Sequence, residues 1–139
     1  MQTRTTITRM RGQTETGLEV ATLDWMLGRF LGTAHIGDRE VLMGDLVDRT
    51  GAASPELRSF MSTSSDGSAV RCTWARQPDG SYQLWSSGTY LAEYQPTQEH
   101  IAGIGMSWGT MRYWFRPEQL FLDAIITVSI NKWIDLQGL

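Results

Sequence analysis

Histidine, cysteine and lysine are scarce in this chain. Its 139 residues include two histidines, His35 and His100, one cysteine, Cys72, and one lysine, Lys132. So few soft ligands cannot assemble a zinc centre of the usual kind, and no carboxylate–histidine spacing points to iron. A single cysteine excludes an internal disulfide, so a reducing compartment is expected. Cys72 shares a strand face with Val70 and Trp74, which favours a buried inert thiol over a nucleophile. No run approaches the ~20 apolar residues of a membrane span. The start, "MQTRTTITRMRGQTETG", lacks the apolar centre of a secretory leader, and a cytoplasmic location is expected.

Charge of one sign is also lacking. The formal net charge is −3 and the basic residues are scattered arginines, which gives no footprint for nucleic acid or an anionic membrane. Gly103, Gly105 and Gly109 in "AGIGMSWGTM" have neither the lysine nor the following helix of a phosphate-binding loop. No nucleophile elbow and no defensible Ser–His–Asp order occur. Metal hydrolysis, nucleotide transfer and triad chemistry recede together, and no cofactor is expected.

What is present is β-pattern and large rings. The length suits one domain, residues 1–139, with a core of its own. Residues 1 to about 16 are polar and read as an arm or, since "TRTTITRMR" alternates loosely, as a first strand. In "GLEVATLDWMLGRFLG", Leu23, Met26, Leu27 and Phe30 recur at helical spacing, predicting a short helix within 18–31. From His35 to the end, alternating segments are divided by Asp66-Gly67, Pro78-Asp79-Gly80 and Arg116-Pro117-Glu118, with "QPTQE" as a further loop. Turns about every ten residues predict an all-β domain. We expect a small antiparallel β-barrel of about seven to eight strands over 35–139, because closure removes exposed edges. The arm and helix, residues 1–31, would cap one end as a lid.

Three stretches resemble the allene oxide cyclase barrel, the fold of plant allene oxide cyclases, dirigent proteins and small spirotetronate cyclases. They are "GDREVLMGDLVDRTG", with Gly37, Asp38, Leu46, Asp48 and Gly51; "CTWARQPDGSYQLWSSGTYL"; and "HIAGIGMSWGTMRY". The resemblance spans about residues 37–113 and implies a scaffold and cofactor-free chemistry. Where the plant enzymes bring a proline and an asparagine into the cavity, this chain has Val41 and Gly44, so allene oxide cyclisation itself is not implied. "RYWFRPEQLFLD" and "LGRFLGTAH" are similar to lipocalin-like barrels, which would also supply a cup for an apolar ligand.

The candidate site residues follow from the strands. Rings on several strands suit the walls of a cavity, although core packing explains any one of them. Trp74, Trp85, Tyr90, Met106, Trp108, Tyr113 and Trp133 are the candidate substrate-binding residues. In "HIAGIGMSW", His100, Met106 and Trp108 share one face, and His100 stands near the mouth as a solvated histidine or a proton shuttle. The last stretch, "LFLDAIITVSINKWIDL", is rich in β-branched residues and reads as a strand. One face carries Leu120, Leu122, Ala124, Ile126, Val128 and Ile130; the other carries Asp123, Thr127, Ser129 and Asn131. Alternation leaves open which face is inward, and the aliphatic face could instead meet a second subunit in a homodimer. Arg112 and Asp123 then fall on adjacent strands, where the guanidinium could polarise a carbonyl and the carboxylate hold it. Arg112, Asp123 and His100 are the candidate catalytic residues.

These features converge on a hydrophobic small molecule as partner. The expected function is a cofactor-free cyclase or isomerase, such as a [4+2] ring closure of a natural-product intermediate, where shape supplies the acceleration. A lipocalin-like carrier and an interaction domain with a filled core are the alternatives.

Overall fold

The computed structural model describes residues 3–9, 18–26, 31–48, 57–64, 66–101 and 105–137, and the side chains of 3, 9, 18, 98, 99, 101 and 105–108 lie outside that description. The strands are β1 (Thr3–Arg9), β2 (Leu18–Trp25), β3 (Gly32–Ile36), β4 (Arg39–Leu42), β5 (Leu57–Thr63), β6 (Ala69–Arg76), β7 (Tyr82–Ser86), β8 (Thr89–Ile101) and β9 (Gly105–Tyr113), followed by a helix, α1 (Glu118–Gln137). They form two antiparallel meanders, β1-β2-β3-β4 and β5-β6-β7-β8-β9. Each strand pairs with its neighbour in sequence, as short turns between alternating segments dictate. After β4 the chain makes a tight 3-10 turn, Met43–Asp45. It then joins the second sheet through paired backbone bonds between Asp48 and Ser59, at 2.7 and 3.2 Å.

Mostly antiparallel β was expected and is found, and the Asp66-Gly67 and Asp79-Gly80 turns stand where the sequence put them. Gly67 and Gly80 sit at φ +86° and +88°, a conformation that glycine adopts without steric cost. Each preceding aspartate accepts bonds from a serine two residues on, Asp66 from Ser68 and Asp79 from Ser81.

Two elements exchange their expected types. The polar N-terminal stretch takes its strand alternative as β1, and residues expected as a capping helix supply strand β2 instead. Ala21, Leu23 and Trp25 alternate into the core, while Met26, placed by sequence on a helical stripe, is 59% exposed; no lid helix over 18–31 exists among the described residues. Residues 27–30 of that stretch lie outside them. Conversely, the stretch read as the last strand is the 20-residue helix α1. Its first bond runs from the Phe121 amide to the Pro117 carbonyl at 3.1 Å, so proline sits where its missing N–H costs nothing.

Helix α1 lies between the sheets and gives each a different face. Ile126, Ile130 and Ile134 join Leu23, Trp25 and Ala34 in one buried cluster. Leu120, Ala124 and Val128 join Phe60, Cys72, Trp74 and Leu84 in the other. A helix with apolar residues on two sides shows little amphipathic contrast, so its β-branched run has the sequence pattern of a strand.

Smaller corrections follow. Gly44, within the stretch that resembles the first barrel segment, lies in the 3-10 turn. "QPTQE", expected as a loop, belongs to β8 and contains a register shift between Pro96 and Glu99. "HIAGIGMSW" is not one strand: His100 and Met106 face each other across the β8–β9 pair, and residues 102–104 lie outside the described set.

Candidate functional site

The site is built around α1, because the helix occupies the space between the sheets. Sheet β5–β9 holds it through Asp123, Thr127 and Asp135, three members of a slanting row of polar residues four apart that also includes Asn131. A spacing of four advances slightly more than one turn, so the row crosses the helix obliquely. Asp123 accepts from the Ser62 hydroxyl at 2.7 Å and the Gln119 amide at 3.0 Å. Thr127 Oγ1 accepts the Trp74 indole N–H at 2.9 Å and donates to the Asp123 carbonyl at 2.7 Å. Asp135 accepts from Arg58 at 2.8 Å, lies 3.1 Å from Arg76, and also accepts the Tyr82 hydroxyl. Sheet β1–β4 holds the other side by apolar contact and by the stacking of Trp25 on Trp133, with centroids 4.8 Å apart.

The electrostatics of the row are asymmetric. Burial alone would raise the Asp135 carboxyl, but hydrogen bonds from Arg58 and Tyr82 outweigh it and hold the group below the usual carboxylate range. Burial, followed by the bond to Asp135, raises the Tyr82 phenol well above its ordinary value. Burial likewise raises the Cys72 thiol, consistent with the inert role that its strand position suggested.

Two depressions flank the N-terminal half of α1. One, about 560 Å³, runs between Ile7 and Val20 on one side and Tyr113 on the other, floored by Phe121, Leu122 and Ile125. The second, about 760 Å³, lies between β2–β3 and β5 and includes Met61, Ser62 and Asp123. Both contain Val20, Gln119 and Leu122, so they meet beside the helix. The Tyr113 ring contacts those of Phe121 and Phe115, at centroid distances of 4.7 and 5.1 Å, and Tyr113 stays 48% exposed. Half-exposed rings over aliphatic side chains make a surface suited to an apolar guest.

The residues proposed from sequence are dispersed. Tyr113 lines the first depression and Asp123 the second. Trp74 is buried in the core, and Trp133 stacks on Trp25. Trp85, Tyr90 and Trp114 form a chain of ring contacts, with Trp85 and Trp114 exposed. His100 is exposed at the end of β8. The side chains of Met106 and Trp108 lie outside the described set. Arg112 is exposed and faces Glu93 across β8–β9. The expected pairing of Arg112 with Asp123 is not formed, because Asp123 belongs to the helix and its partners are Ser62 and Gln119.

Phe121, Ile125, Arg116 and Val20 were not identified from sequence, although they line the groove. The usable signal was Pro117 followed by Glu118, a helix-start pattern; read as helix, Phe121 and Ile125 are one turn apart. Among the described residues, no cluster of His, Cys, Asp or Glu is arranged to hold a metal. No helix among them is long and apolar enough to cross a membrane. Comparison with family models, curated proteins and solved structures finds no match.

Proposed function

We propose that the protein binds an apolar small molecule in the groove beside the N-terminal half of α1. The observation that carries this reading is the groove itself. Side chains from both sheets and the helix leave about 560 Å³ between Ile7, Val20, Tyr113, Phe121 and Ile125. Burying apolar surface contributes roughly 25 cal/mol per Å², so a flat or chain-like guest gains most along such a floor. A meander of four strands and one of five lie on either side of α1, so the helix occupies the middle that a barrel would leave open, and the guest lies at its flank.

A second reading, cofactor-free ring closure of that guest, is favoured by Asp123 in the adjoining depression. Its carboxylate is fixed by Ser62 and Gln119, so an anionic acceptor stands beside an apolar surface. In this reading the groove holds a flexible substrate in a reactive conformer, and the nearby guanidinium is that of Arg116, which lines the groove.

Titration with the neutral dye Nile red tests the binding. The dye should bind saturably to the intact chain, and Tyr113→Ala should weaken it about tenfold. Linear, non-saturating fluorescence would remove the proposal. Ring closure is tested separately, by chromatography and proton NMR of a polyene recovered after incubation; an unchanged polyene leaves binding alone.

A further inference from the structure

We propose that the cleft at the C-terminal end of α1 is a second site, which binds a small aromatic carboxylate as a monoanion. It is separate from the apolar groove: Asp123 and Asp135 are twelve positions apart, about 18 Å along a helix rising ~1.5 Å per residue. The cleft encloses about 260 Å³ and is lined by Arg76, Tyr82, Tyr94, Lys132, Asp135 and Leu136 among others.

Charge gives the sign of the ligand. Three ionised side chains line the cleft, Arg76, Lys132 and Asp135, leaving one positive charge in excess. The Asp135 carboxylate is already engaged. One oxygen meets Arg58 and Arg76, at 2.8 and 3.1 Å, and the other accepts from Tyr82. Arg58 lies behind it with its side chain only 11% exposed. Lys132 has no carboxylate partner among the described residues. Its ammonium donates to the Tyr94 hydroxyl at 2.8 Å, which leaves two of its three N–H donors for a ligand. The Arg76 side chain is 48% exposed, so its fork can share an incoming oxyanion with Lys132.

The walls give the class. Most of the cleft surface is apolar, and the rings of Tyr82 and Tyr94 lie 6.2 Å apart, so a ring is a better occupant than a bare anion. Tyr94 is also fixed in place. It lies over Gly109 of β9, where a Cβ would fall 1.8 Å from the Tyr94 hydroxyl oxygen. The bare backbone at Gly109 therefore seats the ring that positions Lys132, and the site is formed before a ligand arrives.

The test uses the intact chain, titrated with sodium benzoate by calorimetry, with benzamide and inorganic phosphate at matched ionic strength. Benzoate should bind saturably and benzamide about tenfold more weakly, and phosphate should fail to displace benzoate at equal concentration. Lys132→Met should weaken benzoate about tenfold, while Lys132→Arg should retain most of the affinity. Gly109→Ala should weaken it by displacing Tyr94. Should Lys132→Met fail to fold, Arg76→Gln decides the same point and should also reduce affinity. Unsaturable benzoate, equal affinity for benzamide, or unchanged affinity in the folded Lys132 or Arg76 variant overturns the site. Equal competition by phosphate overturns the aromatic ligand. Nile red binding at the groove should be unaltered by the Lys132 and Arg76 variants, so failure of one site is distinguishable from failure of the other.

Discussion

Asp123 and Asp135 stand at the two ends of one polar row on α1, and side chains of the same sheet hold both. Asp123 receives the neutral Ser62 hydroxyl, whereas Asp135 receives two guanidinium groups and a phenol. The two ends are therefore unequal anchors. Removing the charge of Asp135 leaves Arg58 without its carboxylate in a setting where both side chains are mostly buried.

Asp135→Asn should accordingly destabilise the protein by about 3 kcal/mol, the scale of breaking a buried charged pair from one side. Asp123→Asn, which keeps an acceptor for Ser62 and strands no cation, should cost about 1 kcal/mol or less. Urea unfolding of both variants measures the difference. Equal costs would show that the helix is not anchored chiefly at its C-terminal end.

The same cluster sets two pH limits. The Asp135 carboxyl is held below its reference value of 3.8, so the folded state favours the ionised form. That stabilisation is complete above about pH 4 and is lost as pH falls through the lower folded value. Tyr82 behaves oppositely: its phenol is raised above the reference value of 10.0, so its contribution is complete below about pH 10 and is lost at higher pH. Urea midpoints measured across pH should fall at both limits. Asp135→Asn should flatten the acid limb and Tyr82→Phe the alkaline one.

Trp74 tests the middle of the row. Its ring is buried and its indole N–H donates to Thr127. Trp74→Phe keeps most of the apolar surface but leaves a gap and loses that bond. The cost should be about 2–4 kcal/mol from cavity and hydrogen bond together, read by denaturant melting. Thr127→Val should cost less, because it leaves the packing in place, and the double variant should cost less than the sum of the two. An additive double variant would mean the indole and hydroxyl do not cooperate.

Much of the β architecture was legible because turns and alternation are local. Asp66-Gly67 and Asp79-Gly80 specify tight turns by themselves, and Phe60, Cys72, Trp74 and Leu84 alternate inward as a half-buried sheet requires. The two exchanged elements were illegible for opposite reasons. In β2, Leu23 and Met26 happen to fall at helical spacing, and only tertiary pairing with β1 and β3 shows that Ala21, Leu23 and Trp25 are the buried set. In α1, burial on two sides erased the contrast between an apolar and a polar face. Its polar row, at 123, 127, 131 and 135, was visible in the sequence at a spacing of four. Read at a spacing of two, the same face takes in Ser129, and Asp135 was not counted with it. The candidate site inherited that error, since both depressions are made by the helix meeting the sheets. No local pattern specifies such a meeting.

Asn131 is the one member of the row without a partner. It is fully buried, and neither its amide nitrogen nor its carbonyl oxygen has a hydrogen bond among the described residues. An unsatisfied buried polar group costs about 1–3 kcal/mol, and the flanking Thr127 and Asp135 are both satisfied by sheet β5–β9. The amide therefore opposes folding where its neighbours support it. Asn131→Leu exchanges it for an apolar group of similar size and should stabilise the protein by about 1 kcal/mol or more. Asn131→Asp should destabilise it severely, because a buried unpaired charge is worse than a buried amide. Thermal melting of the two variants reads both directions. A Leu variant that melts below the parent chain would mean that the amide is bonded in solution, and its place in the row would then be a support like the others.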